Sequence, residues 1–317
     1  MRPIRQRSSL ISPPCPFPDA IHGIGIFTPA RPAGPKPLTT AIRRFRKWGL
    51  TVLAPSPEGA ATRYLAGSET GRTAPLHELL RNPQIQILMA ARGGYGCARL
   101  FEHLDWDLLR ACPKPIIGYS DLTALHLACL RHGIRTGISG PMAAVEFART
   151  PSTAVDRQAM AFTFRSLADV WQPQPTVGLP PKIRLQGLKP GQVEAPVVPA
   201  TLSVLVSLLG TPWLPELADT ILVIEDVNEP AYKIDRYLTQ LRQAGILPRL
   251  AGLILGSFNG GDDAEWLPEI FAEFAAFIPG PVAAGLPFGH CWPMVSVPVG
   301  RPAFLGVAPA GKVTLRW

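Results

Sequence analysis

A serine that ends an apolar run and leads straight into a helical pattern stands where hydrolases expose a nucleophile. PIIGYS (115–120) runs into DLTALHLACLRHG (121–133), so Ser120 lies at a strand-to-helix junction. Its Oγ would be held at a tight turn beside the first N–H groups and the positive dipole end of the helix. Gly118 leaves room for such a turn. Two readings are open here, because Ser120 and Asp121 are also common helix caps. The G-x-S-x-G signature is only partly met, with Leu122 in place of the last Gly. A second candidate is Arg92-Gly93-Gly94-Tyr95-Gly96, which follows ILMAA. Backbone there can approach a ligand and offer N–H groups to an anion, or it is simply a tight strand–helix turn. It is neither a Walker loop nor G-x-G-x-x-G, which argues against a nucleotide cofactor. Glu225 and Asp226 end the run ILVI, at the strand end where α/β proteins place functional groups. Alternation sends these neighbours to opposite sides, so only one can face a given partner. Glu229, beside Pro230, sits where a carboxylate favours a helix dipole; Asp235 and Arg236 read as site residues or as an ion pair. Among the histidines, His290 lies in the Gly- and Pro-flanked loop LPFGHCWP, and His126 on the helix after Ser120 reads as a core or surface residue. His22, His77, His103 and His132 join no constellation, and no metal-binding spacing is present.

Such residues need a scaffold. From about residue 22, short β-rich runs alternate with amphipathic stretches, the pattern of α/β structure with parallel strands. Strands are expected at 24–30, 51–56, 84–92 and 115–120, with helices at 39–49, 71–81, 97–104 and 121–133. Gly49 and Gly133 close two of these helices. The Pro- and Gly-rich stretch 170–192 carries no helical period and reads as a linker, with a short strand near Ile183–Leu185. Beyond it come VEAPVVPA, the helix TLSVLVSLLG, a strand at 220–227 and the helix AYKIDRYLTQLRQAG. The strand LAGLILGSF, the helix AEWLPEIFAEFAAF and a tail of β-hairpins complete the chain. The division expected is a flexible lead-in at 1–21, an N-terminal domain at 22–169, the linker, and a smaller C-terminal α/β domain with a β-rich tail at 193–317.

Composition narrows the class. With 317 residues, 47% of them hydrophobic and only 17% charged, the chain can bury a core and is no disordered polyelectrolyte. No apolar run has the length of a membrane helix. The net charge of +8 comes from 24 Arg and 7 Lys spread along the chain, which speaks against nucleic acid as partner and suits anionic ligands such as acidic peptides. The densest cluster, Arg43, Arg44, Arg46 and Lys47, reads as a solvated helix face. Five scattered cysteines without a CxxC pair fit neither a disulfide framework nor a zinc site, and point to a reducing compartment. The N-terminus MRPIRQRSSLISPPCPFPDA is broken by prolines and makes a poor signal peptide, so cytoplasm is the expected location.

Taken together and in order, RGGYGCARL, IIGYSDLTAL, ILVIEDVNEPAYKIDRYLTQL and LPFGHCWPMVSVPVG resemble the LD-carboxypeptidase family. These are the serine muramoyl-tetrapeptide carboxypeptidases, related to the microcin C immunity hydrolases. YLAGSETGRTAPLHELLRNPQIQILMAARGGYG and LAGLILGSF fit as well, and the likeness runs from about residue 22 to Trp317. The resemblance implies a Rossmann-like N-terminal domain holding the nucleophile Ser120, and a C-terminal domain supplying Glu225 and His290 of a triad. It also implies a homodimer. The three residues lie 105 and 65 positions apart, so the fold has to assemble them. The implied reaction is metal-free and cofactor-free removal of terminal D-alanine from a murein tetrapeptide during peptidoglycan recycling. His290 would move the Ser120 proton, Glu225 would orient the imidazole, and the N–H of Asp121 and the Gly93-Gly94 turn would be oxyanion donors. The rival readings are an aminoacyl-nucleotide amide hydrolase of the self-immunity type and a catalytically impaired peptide-binding relative. The chain departs from the family at Pro199-Ala200-Thr201 (Gly-Gly-Asn), Ser139-Gly140-Pro141 (His-Gly-Pro) and Thr28-Pro29-Ala30 (Ala-Pro-Ser). All three are expected in loops facing the cleft.

Overall fold

In the computed structural model, residues 14–173 and 175–317 are described. Five parallel strands form the first sheet: β1 (Gly23–Phe27), β2 (Thr51–Leu53), β3 (Ile87–Ala90), β4 (Ile116–Ile117) and β5 (Gly137–Ser139). Their spatial order is β2-β1-β3-β4-β5, a doubly wound arrangement. Helices α1 (Pro35–Lys47), α2 (Glu69–Arg81), α3 (Trp106–Ala111), α4 (Leu122–Arg131) and α5 (Ala154–Asp169) flank it. Strand β3 is buried throughout because both faces are covered. Leu88 and Ala90 join the cluster of Leu76, Leu79, Leu122 and Leu125, whereas Ile87 and Met89 join that of Phe45, Met160 and Phe164.

The second sheet contains β6 (Gln186–Lys189), β7 (Gly191–Thr201), β8 (Ile221–Val227), β9 (Gly252–Asn259) and β10 (Val282–Ala284). After β11 (Val297–Pro298) come β12 (Pro302–Val307) and β13 (Val313–Arg316). The order is β13-β12-β7-β8-β9-β10-β6, with β7 to β10 parallel and the outer strands antiparallel. Helices α6 (Leu202–Ser207), α7 (Ala231–Gln243) and α8 (Leu267–Ala275) connect it. The fold is α/β with a parallel N-terminal sheet and a C-terminal α/β part with a β-rich tail.

Several local expectations change. Residues 1–13 of the lead-in lie outside the described part; of 14–21, Cys15, Phe17 and Ile21 pack into the cluster of Ile24, Phe45 and Ile87, while Pro18, Asp19 and Ala20 are exposed. Phe17 is buried against Phe45 and Phe147, and Trp171 Nε1 donates to the Pro16 carbonyl. Within 170–192 the strand is β6, just beyond the expected position, and Val177 N donates to the Leu315 carbonyl at 3.0 Å. The stretch 97–104 forms a 3₁₀ helix, Cys97–His103, rather than an α-helix. Helix α5, absent from the expected elements, is started by a capping box in which Thr153 and Asp156 satisfy each other's backbone N–H. The tail is not all hairpin: β11 pairs antiparallel with β5, Val297 opposite Ser139, and becomes the sixth strand of the first sheet. Arg44 is no solvated residue either, since it donates to the carbonyls of Phe147 and Arg149 at 2.8 and 2.7 Å.

Candidate active site

Ser120 lies three residues beyond the end of β4, after Gly118 and Tyr119, and has φ +64°, a left-handed conformation that costs a non-glycine residue on the order of 1–3 kcal/mol. Its carbonyl accepts from Thr123 N at 2.9 Å, so the turn leads straight into α4. Capping does not explain the serine. Helix α4 has no side-chain cap, Ser120 Oγ lies 3.0 Å from His290 Nε2, and the Asp121 carboxylate accepts from Cys97 N at 2.8 Å. The strained turn aims the hydroxyl at an imidazole instead.

Glu225 lies near the end of β8 and is buried. Its Oε2 accepts from His290 N at 3.0 Å and meets His290 Nδ1 at 2.8 Å. Backbone and ring of the histidine are therefore both fixed by one carboxylate oxygen. Gly289 makes this approach possible: at φ +90°, a Cβ there would fall 2.1 Å from Glu225 Cδ. The other oxygen, Oε1, accepts from Thr201 Oγ1 at 2.5 Å. Thr201 stands opposite Glu225 in the β7–β8 register, and its amide donates to Thr123 Oγ1 of α4 at 3.0 Å. The carboxylate is thus held on one side by the histidine loop and on the other by a threonine tied to the helix of Ser120.

Burial pulls His290 down, but the hydrogen bond and charge of Glu225, with Asp226 and Glu146 behind it, outweigh this and raise its pKa above the ordinary histidine value. The ring packs edge-on against Tyr119 at 5.0 Å. Tyr119 in turn donates to Glu146 Oε1 at 3.0 Å, whose Oε2 accepts from Met142 N at 2.9 Å. Burial raises the Glu146 carboxyl despite these donors.

The glycine turn after β3 reaches the same point. A Cβ on Gly93 would lie 2.9 Å from Ser120 Cβ and 3.5 Å from Asp121 N, a contact only glycine permits. The amides of Gly93 and Asp121 have no hydrogen-bond partner among the described residues. Gly94 lies one residue further out, beside Arg31.

The remaining candidates sit elsewhere. Asp226 points away from His290, as alternation requires, and accepts from Ser203 N at 2.7 Å at the start of α6. Glu229 pairs with Lys233 at 3.0 Å. Asp235 and Arg236 do not form an ion pair: Asp235 accepts from Thr239, and Arg236 lies over the Tyr232 ring. Helical neighbours point to different sides, which explains the miss. His126 is a core residue, with Nε2 on the Ile116 carbonyl at 3.1 Å and its pKa lowered to about 4 by burial. His77 accepts from Asp105 N, and His132 stacks on Trp106.

Two of the three departures do not lie in cleft loops. Thr201 ends β7 against Glu225, and Ser139 is buried in β5. Thr28 lines a small cavity of about 120 Å³ with Pro32, Pro55 and Ser56. A much larger cavity, about 820 Å³, lies away from Ser120, between α1 and α5, and is lined by Arg43, Arg44, Lys47 and Arg157 among others. Sequence reasoning missed the support given by Thr201, Tyr119 and Glu146. Only strand register brings Thr201 to Glu225, and no spacing signal reports register.

The described residues contain no group of three or more His, Cys, Asp or Glu side chains able to hold a metal, and no helix among them is long and apolar enough to cross a membrane. Residues 24–140 match the LD-carboxypeptidase N-terminal domain, and residues 194–305 match the LD-carboxypeptidase C-terminal domain. The probable murein peptide carboxypeptidase of Bacillus subtilis is 31% identical over 290 residues, covering 90% of this chain and 89% of its own. The murein tetrapeptide carboxypeptidase of Pseudomonas aeruginosa is 33% identical over 292 residues, 89% of this chain and 92% of its own. The crystal structure of muramoyltetrapeptide carboxypeptidase from Oxalobacter formigenes superposes with a TM-score of 0.81 at 30% identity, over 93% of this chain and 98% of that one. The Escherichia coli microcin C7 self-immunity protein MccF is 26% identical over 312 residues, 87% of this chain and 88% of its own. With both halves matched and relatives aligned over most of its length, the chain belongs to the LD-carboxypeptidase family.

Proposed function

We propose that the protein is a serine hydrolase that removes terminal D-alanine from a murein tetrapeptide, acting in the cytoplasm as a homodimer and without metal or cofactor. One observation carries this reading. Ser120 Oγ, in a left-handed turn, lies 3.0 Å from His290 Nε2, and His290 Nδ1 lies 2.8 Å from a buried Glu225. Nucleophile, base and orienting acid are in hydrogen-bond contact. The names of the relatives above support the choice of substrate.

Ser120 Oγ attacks the carbonyl carbon of the bond to D-alanine while its proton passes to His290 Nε2. Glu225 stabilises the imidazolium and keeps the Nδ1 proton in place. The carbonyl oxygen gains negative charge and is met by the unpaired amides of Asp121 and Gly93, each such donor contributing about 3–4 kcal/mol. Collapse breaks the C–N bond, and His290 gives its proton to the leaving amine. Water, deprotonated by His290, then cleaves the acyl-serine ester and returns the proton to Ser120.

The test is mass-spectrometric loss of one alanine from muramoyl tetrapeptide by wild type, Ser120→Ala and His290→Ala. Wild type should release alanine, and each variant should fall by orders of magnitude while staying folded. Turnover within tenfold of wild type in folded Ser120→Ala protein would sink the mechanism. Hydrolysis of an aminoacyl-sulfamoyl adenosine but not of the tetrapeptide would move the reading to a self-immunity type of activity.

A further inference from the structure

Around the glycine turn, the arginines differ in how their guanidinium groups are used. Arg72 is buried: its Nε donates to the Gly67 carbonyl and its Nη1 to those of Pro29 and Gly96, while Nη2, sealed from solvent without a hydrogen bond, lies 4.0 Å from the Glu69 carboxylate. Arg99 pairs with Glu69 at 2.5 Å, and Arg63 lies 5.7 Å above the Tyr64 ring. Arg92 is half-buried, with an Nε sealed from solvent and no acceptor for it. Arg31 is exposed and has neither hydrogen bond nor ion pair among the described residues. Its stem packs so closely on Gly94 that a Cβ there would meet Arg31 Cγ at 2.4 Å.

Arg31, Gly94, Tyr64 and Tyr95 line an open hollow of about 590 Å³. The two tyrosines are 44% and 49% exposed, with rings edge to face at 5.6 Å. The hollow adjoins the candidate nucleophile, because Gly93 touches Ser120 and successive Cα atoms are only about 3.8 Å apart. It therefore joins an unpaired, positioned guanidinium to aromatic walls, one residue along the chain from the glycine that touches Ser120.

We propose that Arg31 binds a carboxylate of the substrate in this hollow. The proposal rests on the hydrolase reading above and names the group that reading leaves unassigned. A guanidinium fork matches a carboxylate in bidentate geometry, and the tyrosine rings exclude part of the water that would weaken the pair. The hollow is larger than one carboxylate and takes the substrate segment that carries it. In the proposed substrate that group is the carboxylate of the terminal D-alanine or an acidic side chain further along the peptide.

The experiment measures kcat and KM of the full chain, as wild type, Arg31→Gln, Arg31→Lys and Arg92→Gln. The substrates are muramoyl tetrapeptide and two analogues, each with one of those carboxylates amidated. Arg31→Gln should raise KM roughly tenfold to a hundredfold, the worth of a charge-assisted contact, with kcat nearly unchanged. Arg31→Lys should recover part of the loss. One analogue should bring wild type to the same raised KM with no further penalty in Arg31→Gln, which identifies the carboxylate. An unchanged KM in Arg31→Gln, a full penalty retained on both analogues, or this signature in Arg92→Gln instead would overturn the proposal. Calorimetric binding of the tetrapeptide to Ser120→Ala protein, with and without Arg31→Gln, reads the same contact without turnover. If wild type releases no alanine yet this binding loss persists, the hydrolase reading fails and the carboxylate contact stands.

Discussion

At the scale of single residues, the protonation of His290 is governed by its neighbours. A general base works as the neutral imidazole, so activity rises with pH through its pKa. Burial lowers that pKa and Glu225 raises it more, so the acid limb of kcat/KM should lie above the unperturbed value near 6.5. In Glu225→Gln the pull disappears while burial remains; the limb should move to lower pH as turnover drops severely. A pH profile with an unmoved limb would show that Glu225 does not set the histidine. Asp226→Asn should cost less turnover, because that carboxylate serves the start of α6, and Glu229→Gln should affect mainly stability or substrate affinity. Thr201→Val removes the donor on Glu225 Oε1, leaves a buried oxygen unpaired, and should lower kcat about tenfold with KM kept, Thr201→Ser restoring most of it. Equal kcat in Thr201→Val and wild type would refute that positioning role. The meeting of Ser120, Glu225 and His290 was legible because each occupies a strand end or a Gly-flanked loop within a recognisable motif. The threonine was not, since its value comes from standing opposite Glu225 across two strands.

The elements explain why the histidine loop holds its place. Met294 N donates to Thr163 Oγ1 at 3.1 Å and Ser296 N to Ser166 Oγ at 2.9 Å, so α5 clamps the segment between His290 and β11. Thr163→Val keeps the shape but strands a buried amide, at a cost of about 1–3 kcal/mol. The variant should melt several degrees lower and lose turnover at least about threefold, because small displacements of a base weaken proton transfer steeply. A lower melting temperature with unchanged kcat would confine α5 to stability. Most strands were readable as apolar runs bounded by Gly and Pro, and α4 as the run that Gly133 ends. Helix α5 buries Met160, Phe164 and Leu167 at helical spacing, but the exposed apolar residues Val155 and Ala161 lie off that stripe and blur the pattern, leaving its Thr153–Asp156 box as the clearest local signal. The pairing of β11 with β5 was hidden for another reason: two residues, Val297 and Pro298, leave no pattern, and only the three-dimensional course of the chain brings them to the edge of the first sheet.

At the scale of the molecule, charge and shape act together. The net charge of +8 attracts anions from a distance, and the proposed tetrapeptide carries several carboxylates. Arg31 lies exposed at the hollow beside Ser120, so the long-range field and the short-range contact favour the same kind of ligand. Screening separates the two, since the Debye length falls from about 30 Å at 0.01 M salt to about 3 Å at 1 M. If encounter limits capture of the substrate, kcat/KM for the tetrapeptide should fall severalfold over that range while kcat stays level. An analogue with its carboxylates amidated should show a flat dependence, because it removes the charge without removing the scissile bond. Measuring both substrates over the same salt series decides the matter. A parallel fall for the two would mean that salt acts on the protein itself, and the basic surface would then have no part in bringing substrate to the site.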